Sequence, residues 1–549
     1  MNTTNTRLQV MWNRLLAVVE EQGQALIRAA FSPIVRECGD ISAGIFDVRG
    51  RMLAQAVTGT PGHINTMAEA VKTLCGRYSR SEIKPGDIFL TNDPWIASGH
   101  LNDFLLMMPV FHRGNVVGFS ACTSHLVDLG GLGMGPEGSD IFDEGLRIPP
   151  CKLVDQGQLN ALLMDIVKAN SREPIANEGD IYALIACCET GAARLADMMV
   201  EFGIDTLDSL ADYIIETSRR GTIEAISALP NGTWHNVLTV DGYECEIDLH
   251  AALTITDDRV LVDFSGTSGL SRKGINVPLN YATAYTVFAL RCIIGPDIPN
   301  NAGSLAPFHV TGPADCILNA QPPAPVAMRH TLGQMTPDLV YGCLSQALPD
   351  AVPAEGASCM YDLPLRHAPE AVSRGGTQFA LELVFSGGTG ARPSLDGLSA
   401  TAFPSGVWGS QVETTEAVAP VLITRRELRQ DSGGPGRLRG GLGQDIEIRS
   451  STGEDFMLFL SVERIANPAK GRHGGLAGAP GRIRLGPDGP DLPGKGEVRI
   501  GGGETLIFQT PGGGGFGPPD ERSPLAVRQD VRDELVSARA AQHVYGVKP

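Results

Sequence analysis

No apolar run in this 549-residue chain reaches the roughly 18 residues that a membrane-spanning helix requires. The start, Met1 to Arg7, is polar and runs into an amphipathic segment, so it lacks the apolar core of a secretory leader. None of the eleven cysteines forms a C-x-x-C pair, and the odd count argues against a disulfide framework. Reduced thiols and a cytoplasmic protein are the expectation. Positive charge is also scarce: 44 Lys and Arg stand against 62 Asp and Glu, and a net charge of -18 repels a phosphate backbone. This argues against nucleic acid as a partner. There is no G-x-x-x-x-G-K-[ST], because the one Gly-Lys pair, Gly494-Lys495, is followed by Gly496. Neither a G-x-S-x-G elbow nor a cysteine beside an evident His partner is present, which removes the commonest nucleophile signatures.

What remains is a chain long enough for several domains, with 66 glycines densest in stretches such as Gly433 to Gly443 and Gly512 to Gly517. These read as tight turns; neither clearly joins a strand to a helix N-terminus, as a phosphate cradle would. Helical spacing marks Leu8 to Ala30, Asn65 to Cys75, Ile181 to Phe202, Leu207 to Leu229, Tyr281 to Ile294 and Pro337 to Leu348. Pro524 to Tyr545 reads as one terminal helix. Ser42 to Asp47 and Arg51 to Ala56 form a hairpin, and Thr233 to Thr267 alternates as a three-stranded meander. The fold class expected is α+β, a large multidomain architecture of predominantly antiparallel sheets and packed helices. Its boundaries are set at 1–230, 231–400 and 401–549.

The chemistry concentrates in Asn92 to Gly131. His100-Leu101-Asn102-Asp103 leads into an apolar strand, Phe104 to Phe111, then a turn at Arg113-Gly114-Asn115, then Val116 to Thr123, with His125 directly after. With the turn centred on Gly114, Asp103 falls opposite His125, and cross-strand neighbours lie about 4.5 to 5.5 Å apart. His100 can add a third donor if the chain bends near Gly99. Two imidazoles and a carboxylate suit Zn, Mn or Fe(II) and leave positions open for water or substrate. The competing reading is that His100 and His125 are hydrogen-bonded loop residues. Asp128 is a further ligand, an orienter of an imidazole, or a turn residue before Gly130-Gly131; the turn is the plainest of the three. Asp40 either points at the same site or caps a turn. His63, at a helix start, reads as a capping or packing residue rather than one lining a pocket.

Asn92-Asp93-Pro94, His100-Leu101-Asn102-Asp103, Pro109-Val110-Phe111 and His125 with Asp128-Leu129-Gly130-Gly131 resemble the hydantoinase B family. So do Glu144 to Pro150, Asp263 to Ser268, Asp431 to Gly436, Arg439-Gly440-Gly441, Thr510 to Gly514 and Tyr545-Gly546-Val547, in the family's order. The resemblance implies an ATP-driven hetero-oligomer in which a hydantoinase A type partner holds ATP and Mg. It implies action on a small-molecule cyclic amide or imide: hydantoin, 5-oxoproline or a lactam. The alternative is a ketone carboxylase of the acetone or acetophenone type. It further implies a divalent metal, Mn or Zn, on His100, Asp103 and His125, with a carboxylate such as Asp40 or Asp128 taking a proton. One departure is Leu126, where many relatives carry a second His.

Overall fold

The computed structural model describes residues 3–57 and 59–548; the polar start read at Met1 and Asn2 lies outside them. Among the described residues, the first sheet has seven strands in the order β2-β1-β5-β4-β3-β6-β7. They are β1 (Ile41–Asp47), β2 (Met52–Gln55), β3 (Ile88–Thr91), β4 (Asp103–His112), β5 (Asn115–His125), β6 (Cys151–Asp155) and β7 (Gln158–Leu159). Every neighbouring pair in it is antiparallel. Long helices, Thr3–Ala29 and Pro174–Phe202, pack together on one face, and the Pro61–Arg77 helix covers the other. Both faces are therefore apolar, and β1 is buried along its whole length.

Strand parity sorts the side chains between these faces. Phe104, Leu106 and Cys122 join the core shared with the Pro174–Phe202 helix. Leu105, Met107 and Ala121 join the one under the Pro61–Arg77 helix. Asp103 and His125 share the parity of the second set, so they lie on the face that helix covers.

The β4–β5 register depends on two local devices. Arg113 and Gly114, with φ of 48° and 81°, form the two-residue turn between paired His112 and Asn115. Positive φ at both positions is the type I′ geometry that matches strand twist. A regular ladder from that turn would set Asp103 opposite Ser124. Instead Val117 is skipped between the Phe111–Val116 and Val110–Gly118 pairs, and this bulge restores Asp103 opposite His125.

The second sheet, β11-β10-β9-β8, contains β8 (Gly232–Val240), β9 (Ile247–Ile255), β10 (Val260–Asp263) and β11 (Phe308–Thr311). β8 to β10 are the expected meander, and β11 returns parallel to β10 after the Leu279–Ile293 helix. Along β9, Ile247, Leu249, Ala251, Leu253 and Ile255 face inward in alternation.

The last two sheets form a sandwich around one apolar core. One is β13-β12-β16-β18, from β12 (Tyr361–His367), β13 (Ala380–Phe385), β16 (Phe456–Ser461) and β18 (Lys495–Ile500). The other is β14-β15-β19-β17, from β14 (Val421–Leu428), β15 (Gln444–Ser450), β17 (Arg482–Leu485) and β19 (Thr505–Gln509). β12 pairs with both β13 and β16, so one sheet takes strands from either side of the break read at residue 400. The sandwich thus begins at Tyr361: the Gly- and Pro-rich chain near 400 is a connection within it, not a linker between units.

The glycine runs also differ from their reading as turns. Of those in 433–443 and 512–517, only Gly517 has positive φ, 72°. Instead extended backbones lie against one another: Gly434 N donates to Gly513 O at 2.7 Å, and Gly513 N to Gly441 O at 3.0 Å. A Cβ on Gly513 would lie 2.0 Å from the Thr389 carbonyl oxygen, so no other residue fits. The C-terminal segment is two short helices, Pro524–Arg532 and Ala538–His543, rather than one. Glu534 at φ 58° breaks the pattern and Ser537 caps the second helix. No helix among the described residues is long and apolar enough to cross a membrane.

Candidate metal centre

Asp103 is the hub. It is fully buried at the first position of β4, and four cationic or imidazole groups converge on its carboxylate. Oδ1 lies 2.8 Å from His100 Nε2 and 3.2 Å from His125 Nδ1. Oδ2 lies 3.0 Å from His63 Nε2 and accepts from Arg329 Nη2 at 2.7 Å. The donor atoms of His100, Asp103 and His125 all lie within 4.8 Å of one another. The structure therefore brings together the three residues that the hairpin spacing selects.

The loop before β4 is fixed so that His100 turns inward. Asn92 Nδ2 donates to the Leu101 and Leu146 carbonyls while its Oδ1 accepts from Ile148 N. Asn102 and Leu126 exchange hydrogen bonds, clamping the chain beside each imidazole. Glu144 Oε1 accepts from Val326 and Ala327 N–H, and burial lifts its carboxyl to about 8. That contact places the Ala327 carbonyl, to which His100 Nδ1 donates at 3.0 Å. Leu126, fully buried, packs into the core on the opposite face of the sheet.

Both imidazoles are tied at their far nitrogen: His100 Nδ1 to Ala327 O, and His125 Nε2 to Glu382 Oε1 at 3.1 Å. In a neutral ring such a tie fixes the tautomer and leaves the near nitrogen with a lone pair, as in metal-ligating histidines. His100 Nε2, though 2.8 Å from a carboxylate oxygen, makes no hydrogen bond. Two lone pairs facing each other in a buried site are repulsive, and a cation between them removes the conflict. The donor set fits a divalent ion of the Zn, Mn or Fe(II) class.

The electrostatics favour Asp103 as the anion and His100 as a neutral donor, but they charge His125, whose ring would have to give up a proton to act as a ligand. Burial works to raise the Asp103 carboxyl, but His100, His63 and Arg329 outweigh it and hold it well below the usual carboxylate range. Burial, reinforced by Arg329, lowers His100 to about 4, so its ring is neutral. His125 is buried too, yet Glu382 and Asp103 drive it well above the ordinary imidazole value. Arg329 itself is fixed by Ser98 O at 2.6 Å and lies 4.1 Å over the Tyr281 ring.

Asp40 is drawn to the same place. Its Oδ1 accepts from Thr60 Oγ1 at 2.9 Å and lies 3.5 Å from His63 Nδ1, and its Oδ2 lies 4.0 Å from His125 Nδ1. Asp128 has different partners: the Arg172 guanidinium at 2.6 Å, the Arg172 backbone N–H, and Gly130 N at 3.3 Å. That is the turn role among the three open to it, and it places Asp128 on the wall of a small cleft. The cleft, about 30 Å³, runs between Arg172, Arg366 and Phe459 and ends at Glu382. Such a volume is enough to hold a water.

His63 belongs to the site rather than to a cap; the parity of Asp103 toward the Pro61–Arg77 helix was the sequence signal that could have found it. Arg329, Glu382, Asp362 and His330 also surround the site, and nothing in their local sequence marks them. On β12 and β13, Leu363, Leu365, Leu381 and Leu383 face the sandwich core. Asp362 and Glu382 take the alternate positions, on the face turned toward His125. Asp362 Oδ2 lies 3.8 Å from His330 Nε2. Burial and the nearby Glu382 push the Asp362 carboxyl well above its usual range, while burial and Arg329 push His330 well below its own.

The hydantoinase B/oxoprolinase family model matches residues 4–519. An uncharacterized protein of Methanocaldococcus jannaschii is 32% identical, covering 97% of this chain and 94% of its own length. The B-type chain of a putative D-/L-hydantoinase from a Pseudomonas species, strain NS671, is 28% identical, covering 98% of this chain and 94% of its own. The crystal structure of the ATP-dependent caprolactamase from Pseudomonas jessenii superposes with a TM-score of 0.90 at 27% identity, covering 99% of this chain and 96% of that one.

Proposed function

Because the chain belongs to the hydantoinase B/oxoprolinase family, we propose that it is the metal-carrying B-type component of an ATP-dependent cyclic amide hydrolase. Its partner is an A-type subunit that binds ATP and Mg and phosphorylates the amide or imide oxygen of a hydantoin, 5-oxoproline or lactam. The observation that carries this reading is the convergence of His100 Nε2, Asp103 Oδ1 and His125 Nδ1, each imidazole tied at its far nitrogen. Three protein donors in a buried setting are what a hydrolytic metal site uses, the remaining positions being left to water and substrate.

His100, Asp103 and His125 would hold a divalent ion, Mn or Zn, which when bound lowers the pKa of water and polarises the carbon–oxygen unit. The chain's own groups do the rest. Arg329 and His63 hold Asp103 in place through Oδ2, which frees Oδ1 for coordination. Asp40, held by Thr60, takes the proton from the attacking water. ATP is required because an unstrained amide is a poor electrophile; phosphorylation of its oxygen draws electrons from the ring carbon and opens it to attack by water. Asp128, paired with Arg172, supports the mouth of the cleft through which water reaches Glu382.

The test is to co-purify the chain with its A-type partner and screen ATP-dependent opening of hydantoin, 5-oxoproline and caprolactam. Replacement of His100, Asp103 or His125 by Ala is expected to remove the bound metal and abolish ring opening. Normal amide hydrolysis by these variants would refute the site.

A further inference from the structure

The site has a second buried polar group that the reading above does not use. His330 begins the single-turn helix His330–Gly333 and is completely buried, yet neither ring nitrogen has a hydrogen-bond partner. Asp362, 1% exposed on β12, leaves Oδ1 without one as well. Three orphaned polar atoms in one buried place are rare in a native protein, and each needs an account. They are not remote from the chemistry, since Asp362 shares a sheet face with Glu382, which bonds His125, and His330 directly follows Arg329, which bonds Asp103.

We propose that Asp362 and His330 form the general acid of the reaction, delivering a proton to the ring nitrogen as it leaves. The inference rests on the cyclic amide reading and deepens it. The geometry is that of a relay: Nε2 of His330 faces Asp362 Oδ2 at 3.8 Å, and Nδ1 is unpartnered within the chain. The gap closes to hydrogen-bond length when substrate is bound, as acid–base contacts in substrate-free sites commonly do. Water adds to the activated ring carbon, so an O–H bond breaks, a C–O bond forms, and that proton passes to Asp40. The added hydroxyl then collapses to a carbonyl, its proton passing to solvent, as the C–N bond breaks with its electron pair kept on nitrogen. The phosphoryl group stays on the former amide oxygen as an acyl phosphate, which a second water splits into carboxylate and inorganic phosphate. Nδ1 gives its proton to that nitrogen, and Nε2 takes one from the Asp362 carboxyl, which becomes a carboxylate. The proton held by Asp40 returns through solvent to restore the acid.

A general acid matters most when the leaving group is most basic. A lactam leaves as an alkylamine, whereas hydantoin leaves as a far less basic ureide nitrogen. The experiment uses the two-subunit complex, with Asp362→Asn and His330→Asn assayed on caprolactam and on hydantoin across pH, alongside bound metal and thermal midpoint. Acid–base groups typically contribute about 10²- to 10⁴-fold. A kcat loss of that order is expected on caprolactam, with a clearly smaller loss on hydantoin. The alkaline limb of the kcat profile should disappear, with metal content and midpoint unchanged. Equal losses on both substrates, or an unchanged pH profile, would overturn the proposal. If wild type turns over either amide and both variants match it, the general acid is wrong and the hydrolase reading stands. A wild-type complex that opens none of caprolactam, hydantoin and 5-oxoproline sinks both.

Discussion

The two sides of the site are built on opposite terms. On the Asp103 side the carboxylate itself is saturated: Oδ1 takes His125, Oδ2 takes His63 and Arg329, and Arg329 is itself fixed by Ser98 and Tyr281, which leaves His100 Nε2 and His63 Nδ1 as the open atoms there. On the Asp362 side three buried atoms have no partner at all. A saturated network is rigid and holds a geometry; an unsatisfied one destabilises the fold until something else arrives. The contrast separates the part of the site proposed to grip an ion from the part proposed to act on the substrate.

The largest expected effect breaks the saturated side. Asp103→Ala leaves the Arg329 charge buried and unpaired, and loss of one partner from such a network costs about 3–5 kcal/mol. Urea unfolding of the metal-free chain measures it; a change below about 1 kcal/mol would mean that the hub contributes no rigidity.

Next comes a pH dependence. The ring of His100 is held to about 4 in the fold and titrates near about 6.5 when unfolded. This is a depressed histidine: it carries no cost above the unfolded value and loses stability as pH falls from there toward 4, because only the unfolded chain takes up the proton. For a group this buried, linkage gives about 2 kcal/mol between about pH 7 and pH 5. His125 and His63, both raised, work in the other direction, so the clean measurement is the difference between wild type and His100→Gln. Wild type should lose about 2 kcal/mol more than the variant over that interval; parallel curves would show that His100 is not held neutral.

A smaller effect tests the scaffold under the saturated side. Gly114→Ala places a side chain at φ 81° with open space around it, so its cost is conformational, about 1 kcal/mol. Metal affinity should not change, because the bulge at Val117, not the turn alone, sets the final register.

The smallest change in stability belongs to the unsatisfied side. Asp362→Leu replaces a buried, unpartnered carboxyl with an apolar side chain, so the unfolding free energy should match wild type to within about 1 kcal/mol or rise. A marked loss of stability would mean that Asp362 has a structural partner after all, and the contrast between the two sides would fail.

The gripping side is legible in the sequence because its parts are local. His100, Asp103 and His125 sit on one hairpin, where a turn and a two-residue period determine who faces whom. Even there the right pairing comes by way of a compensation, since the actual turn is one step out of phase and Val117 corrects it. His63 is legible in principle from parity, although its place at a helix start suggests a cap. The acting side is hidden because its residues come from chain more than 200 positions away, and an alternating strand such as β12 gives no sign of which body its polar face will meet. The glycine runs mislead for a related reason: tight turns and close backbone contacts both require the absence of a Cβ, and only tertiary structure tells them apart. The break at residue 400 rests on composition, which cannot see that β12 joins β16 across it.

The strands that carry Asp362 and Glu382 lie in the last two-fifths of the chain and are completed by β16 and β18 later still. A ribosome therefore delivers the hairpin that bears Asp103 and His125 long before the wall that closes over it, and His125 gains its Glu382 partner only once β13 has been made.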